Sequence, residues 1–158
     1  MSADGNLAEI GKVLNAARRA AVKYKKLTGK PLGITGEIAE FEAARILGLK
    51  LTDARHEGFD GWRGNERIEI KGRVIGPDSK PGQRLGRIRL DKEWDSVVLV
   101  LMNEEFRPLQ IFEAEREVIE SALKAPGSKA RNERGQLSAS KFKSIGRLVW
   151  EAGEGRSG

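Results

Sequence analysis

The sequence predicts a three-layer domain of the α/β (α+β) class. Helical patterns stand at both ends of the chain, and the block of strand-like runs between them contains the continuous aliphatic stretch Val97 to Met102. At 158 residues, 39% hydrophobic and 33% charged, the chain can build one real core, with a single domain expected over residues 1–152 and a Gly-rich tail at 153–158.

The elements follow in order. Leu7, Ile10, Val13, Leu14, Ala17, Ala21 and Tyr24 recur at helical spacing until Gly29 and Pro31, which predicts a packing helix over 7–28. Thr35 suits the N-cap of a second helix running through Phe41, Ala44 and Leu47 to a stop at Gly48. A first strand is expected at 49–54, then a hairpin of 59–63 and 67–74 around Gly64 and Asn65. Residues 76–86 read as a loop, 87–90 as a short strand and 96–102 as a buried central strand. A strand at 109–113 leads to a helix at 114–123, a polar loop at 124–136 and a last helix over 138–151, capped by Ser138 or Ser140.

The hairpin carries the chemistry. With Gly64 and Asn65 as the two central residues of a type II′ turn, Arg63 pairs with Glu66 and Asp60 falls opposite Glu69. Alternation places Asp60, Glu69 and Lys71 on one face and Phe59, Ile68 and Ile70 on the other. Cross-strand carboxylates about 5 Å apart at Cβ repel unless something neutralises them. A hard divalent cation suits such oxygen donors, and Lys71 stands beside them. A metal that polarises a phosphoryl group next to an ammonium is the equipment of phosphodiester hydrolysis. A solvated face on which Lys71 simply pairs the acids is the plainer alternative.

On the second helix, a helical projection places Glu37 and Glu40 in the apolar face, whereas Glu42 and Arg45 fall on a side expected to be solvated. A carboxylate on a packing face needs a partner or a cation. Glu37 is the more central of the two and follows Gly36, which would let the backbone approach the sheet, so it is the expected site acid, with Glu40 in support.

Asp60, the eight residues after it, Glu69-Ile70-Lys71, and a preceding helix with Gly36-Glu37-Ile38-Ala39-Glu40 together resemble the PD-(D/E)XK nuclease superfamily over residues 33–123. The resemblance implies a restriction-endonuclease-like fold with a central mixed sheet flanked by helices. It also implies magnesium, or manganese, held by Asp60, Glu69 and Glu37, with Lys71 assisting. Phe59 stands where the motif's name has proline, the gap between the acids is short, and Gln83 only weakly matches the glutamine that follows the lysine in some relatives.

Charge points the same way. The chain carries 29 Lys and Arg against 23 Asp and Glu, net +6, which favours a polyanionic partner. The charges are sorted: 63–92 has nine basic against four acidic residues, while 93–120 has two against eight. Arg63, Arg67, Arg73, Arg84, Arg87 and Arg89, which surround the hairpin in sequence, with Lys141 and Lys143, are the candidate phosphate contacts. No cysteine and one histidine, His56, leave any metal to oxygen ligands. The absence of a long apolar run or of a basic-then-apolar start sets the expectation of a cytoplasmic protein that does not span a membrane. A metal-dependent nuclease acting on nucleic acid, DNA first, is therefore expected, and a homodimer would suit two-strand cleavage. A non-catalytic nucleic-acid-binding or assembly protein on the same fold, and a scaffold that docks through its acidic block, are the competing classes.

Overall fold

A computed structural model describes residues 3–53, 56–80, 82–127 and 135–153. Helices α1 (Ala3–Thr28) and α2 (Thr35–Leu47) precede strands β1 (Lys50–Leu51), β2 (Gly61–Arg63), β3 (Glu66–Val74), β4 (Arg84–Arg87), β5 (Ser96–Met102) and β6 (Pro108–Glu115). Helix α3 (Arg116–Lys124), strand β7 (Gln136–Ser138), helix α4 (Ala139–Ile145) and strand β8 (Arg147–Glu151) complete the chain. Six strands form one mixed sheet in the order β1-β2-β3-β5-β6-β8, with β3 and β5 parallel and every other pair antiparallel. Helices α1 and α2 cover one face; α3, α4 and the two-stranded β4–β7 ribbon cover the other. This is the expected three-layer α/β architecture.

β5 explains the layering. All seven of its residues are buried, and alternation sends Val98, Val100 and Met102 to the α1/α2 side and Val97, Leu99 and Leu101 to the other. α2 lies close on β3 because Gly72 has no side chain: a Cβ there would come within 2.4 Å of the Ala39 Cβ. The close approach thus belongs to Gly72, not to Gly36, which has nothing within 4 Å. Gly48 ends α2 in the left-handed conformation as expected, at φ 70°, whereas Thr35 is the first residue of the helix and Ile34 precedes it without a side-chain cap.

Other expectations are corrected. The last helix stops at Ile145, and the stretch expected to continue it forms β8 on the edge of β6. Gly146 makes the break: a Cβ there would crowd the carbonyls of Glu113 and Phe142 at 3.0 and 3.1 Å. Ser138 rather than Ser140 caps α4, its hydroxyl accepting from the Lys141 amide at 3.0 Å. The strand expected at 87–90 lies at 84–87, inside the supposed loop, because its partner β7 pairs there. β6 runs on through Ala114 and Glu115 before the helix begins, and the first strand is limited to two residues. Parts of the 124–136 loop and of the tail, 128–134 and 154–158, lie outside the described residues.

Glu42 is also corrected. It is buried rather than solvated, because α1 crosses that side of α2 and brings Arg18 to it at 2.5 Å. Arg45 binds its other oxygen at 2.5 Å. Conversely, Ile10, Val13 and Tyr24, expected to pack, are exposed, because α1 turns the side carrying Leu7, Leu14 and Ala21 to the core. Among the described residues no helix is long and apolar enough to cross a membrane.

Candidate active site

The site begins with the turn. Gly64 has φ 59°, while Asn65 is not among the residues with positive φ, a combination that fits a type II′ turn. The resulting pairs, Gly61 with Ile68, Trp62 with Arg67 and Arg63 with Glu66, are the expected register. One step further Asp60 ends the ladder: its amide donates to the Ile68 carbonyl at 2.8 Å, and its Oδ2 accepts the Ile70 amide at 2.7 Å. The side chain takes the place of a strand carbonyl, which locks the carboxylate against β3. Thr52 holds the same residue from behind, its amide donating to the Asp60 carbonyl at 2.9 Å.

Glu69 and Lys71 project from β3 to the face opposite α2. They are only 20% and 18% exposed, with Nζ 3.8 Å from Oε1, and Nζ also donates to the Arg87 carbonyl at 3.0 Å. Burial pushes the Glu69 carboxyl from 4.5 to about 7; Asp60 adds to the rise through its charge and a shared hydrogen bond, Glu40 through its charge, and Lys71 opposes it. Glu40 is likewise pushed up to about 7, by burial first and then by the charges of Asp60 and Glu37. Proton affinities displaced this far at one place mark a site that favours an added positive charge.

Of the two helix acids, Glu40 is the one half-buried beside Asp60, whereas Glu37 is exposed at the first turn of α2. By burial and by nearness to Asp60 the structure favours Glu40 over the expected Glu37 as the helix acid of the site. The apolar arc of α2 faces β3 and β5, and the hairpin lies to one side of that arc, where Glu40 projects. Asp60 and Glu69 are the pair that could hold a hard divalent cation, as two oxygen donors that repel without one. Among the described residues no group of three Asp, Glu or His side chains converges at metal-ligand spacing.

Asp60 and Glu69 open into a cleft of about 160 Å³ whose walls include His56, Phe59, Arg87, Arg89 and Lys92. His56 packs its ring edge-on against Phe59 at 4.4 Å. Lys92 is a site residue that sequence reasoning did not select, whereas Arg89 is one of the basic residues expected around the site. The signal for Lys92 was the basic run around β4, but nothing in it separated cleft cations from structural ones.

Several expected phosphate contacts are engaged elsewhere. Arg63 forks onto the buried Glu113 at 2.8 and 2.7 Å, and Arg67 onto Asp95 at 3.0 and 3.1 Å. Arg73 donates to the Arg84 and Gly72 carbonyls. Lys141 and Lys143 are exposed on α4 away from the cleft, with Lys143 5.7 Å from the centre of the Phe112 ring. Gln83 is not brought to the carboxylates; it lines a separate groove with Arg73 and Thr35. Of the eight, Arg87 and Arg89 line the cleft.

No protein-family model and no curated protein matches this chain.

Proposed function

We propose that the protein is a metal-dependent nuclease that hydrolyses phosphodiester bonds of nucleic acid, DNA in the first instance. The observation that carries this reading is the repelling pair Asp60 and Glu69, held together by backbone contacts in a cleft walled by cations. It agrees with the resemblance of Asp60 and Glu69-Ile70-Lys71 to the PD-(D/E)XK superfamily. Asp60 and Glu69 would hold magnesium or manganese, which supplies Lewis acidity toward the scissile phosphoryl group. Lys71, tethered to the Arg87 carbonyl, keeps an ammonium beside the reacting phosphate, where it stabilises developing negative charge. Arg87, Arg89 and Lys92 would bind the phosphate oxygens that do not react. Arg89 must first exchange Asp91, its partner at 2.8 Å, for the substrate.

The test is cleavage of linear, circular, single-stranded and branched DNA, and of RNA, with magnesium or manganese. Wild type should cut, and Asp60→Asn, Glu69→Gln and Lys71→Met should each lower single-turnover cleavage by at least about a hundredfold without loss of binding. Cleavage that persists in excess EDTA, or in Asp60→Asn, refutes the mechanism. Salt-dependent binding without cleavage of any substrate would leave the non-catalytic binding protein as the better reading.

A further inference from the structure

The C-terminal half of α1 lines two cavities, of about 350 and about 580 Å³, that share Val22, Lys26 and Glu105 in their walls and so form one groove. Arg19, Lys23, Lys25, Lys26, Arg73 and Arg107 face it, and none forms an ion pair with a carboxylate among the described residues. Arg18 is excluded from this set because Glu42 neutralises it. Against these six cations stand two acids, Glu104 and Glu105. Such an excess inside a concavity concentrates a field that attracts a polyanion.

The segment of β4 connects the groove to the cleft. Arg87 at the end of β4 lines the cleft, and Gln83, just before its start, lines the groove. At about 3.3 Å per residue the two are at most roughly 13 Å apart, about four base-pair steps along a duplex axis. Arg73 spans the same interval, in the groove wall and bonded to the Arg84 carbonyl at 2.8 Å. The far wall is fixed. Phe106 holds a left-handed φ of 62°, its carbonyl accepts Nε of the buried Arg18 at 3.1 Å, and Asn103 Oδ1 accepts the Arg107 amide at 3.0 Å.

Resting on the proposed nuclease reading, we infer that this groove is a second phosphate-binding track, which holds the nucleic-acid backbone a few phosphates from the scissile bond. A lipid surface fits less well. On a helical projection Arg19 and Lys26 point about 160° away from the side of α1 that carries Ile10, Val13 and Tyr24, and only Lys23 and Lys25, at about 110° and 90°, flank it. A helix lying on a membrane would need its basic residues to flank that apolar side.

The experiment uses the full chain and a labelled DNA duplex in EDTA, where binding is read without cleavage, and compares wild type with Lys23→Gln/Lys26→Gln/Arg107→Gln. All three residues are exposed, and unchanged circular dichroism and melting temperature would show that the variant folds. The plot of log affinity against log salt should flatten by about 0.9 for each cation removed, so the affinity lost between roughly 50 and 200 mM salt becomes roughly 40-fold smaller. An unchanged slope, no salt-dependent DNA binding by wild type, or variant-sensitive binding to phosphatidylserine vesicles in place of DNA would each overturn the track. Cleavage with magnesium reports separately: binding that responds to the variant, from a wild type that cuts nothing, keeps the track and overturns the nuclease reading.

Discussion

Glu69→Gln should stabilise the metal-free protein at pH 8 and do almost nothing at pH 4.5. The folded protein lifts this carboxyl from 4.5 to about 7. Below the unfolded value both states hold the proton; between the two values only the folded state does, so stability falls as pH rises through that window and the loss is complete above about 7. The rise is worth roughly 3.5 kcal/mol at most, since each tenfold change in proton affinity is about 1.4 kcal/mol. Glutamine keeps the shape and removes the charge, at the expense of the 3.8 Å contact with Lys71, itself worth under about 1 kcal/mol. A net gain of about 1–3 kcal/mol at pH 8 corresponds to roughly 3–9 °C in melting temperature for a domain of this size. Melting curves in EDTA at the two pH values measure it. A variant less stable than wild type at pH 8, or a difference that does not change with pH, would show that Glu69 is not held against a repelling charge. Millimolar magnesium should close the gap by raising the wild type more than the variant.

Two further outcomes follow from named contacts. Glu40→Gln should lower single-turnover cleavage by orders of magnitude at unchanged DNA affinity and Glu37→Gln should have little effect, because only Glu40 is half-buried beside Asp60; the opposite ranking would return the role to Glu37. Glu42→Gln should destabilise the fold by about 3–5 kcal/mol in urea titrations, because it leaves Arg18 buried without its counter-charge; a cost under about 1 kcal/mol would mean that Asn15 and the Phe106 carbonyl suffice for Arg18.

What was legible in the sequence was local. A two-residue turn sets its register by geometry, so Gly64 and Asn65 were enough to place Asp60 beside Glu69. An aliphatic run as continuous as Ser96–Met102 has no solvated face, and β5 is buried throughout. What depended on distant partners was not legible. Glu42 is buried because Arg18, 24 residues earlier, meets it, and a helical projection of α2 alone cannot contain that. β4 is a strand because β7, some fifty residues later, pairs with it, and Phe142, Ile145 and Leu148 keep helical spacing across a glycine where the chain turns to the β6 edge. The choice between Glu37 and Glu40 was not legible for the same reason: the projection locates the apolar centre but not the side on which the hairpin lies.

The carboxylates do not come together by attraction, so something else must hold them. Each is fixed by its own backbone. β3 stays paired with β5 from Ile68 to Val74, which sets Glu69 and Lys71, while its other edge loses β2 beyond Ile68, where the Asp60 side chain takes the vacant Ile70 amide. α2 is pinned by the contact of Ala39 with Gly72, one residue from Glu40 in sequence. The repulsion among the three acids is thus carried by strand pairing and helix packing elsewhere in the domain, and cannot be relieved by small movements of the side chains alone. It follows that enlarging residue 72 should disturb the site without touching any charge. Gly72→Ala would force α2 from the sheet, withdraw Glu40 from Asp60, and let the Glu40 carboxyl fall back toward its ordinary value of 4.5. Carboxyl titration followed by NMR in the metal-free protein reads this directly. A Glu40 that still titrates near 7 in a folded Gly72→Ala variant would show that helix placement is not what holds the acids together.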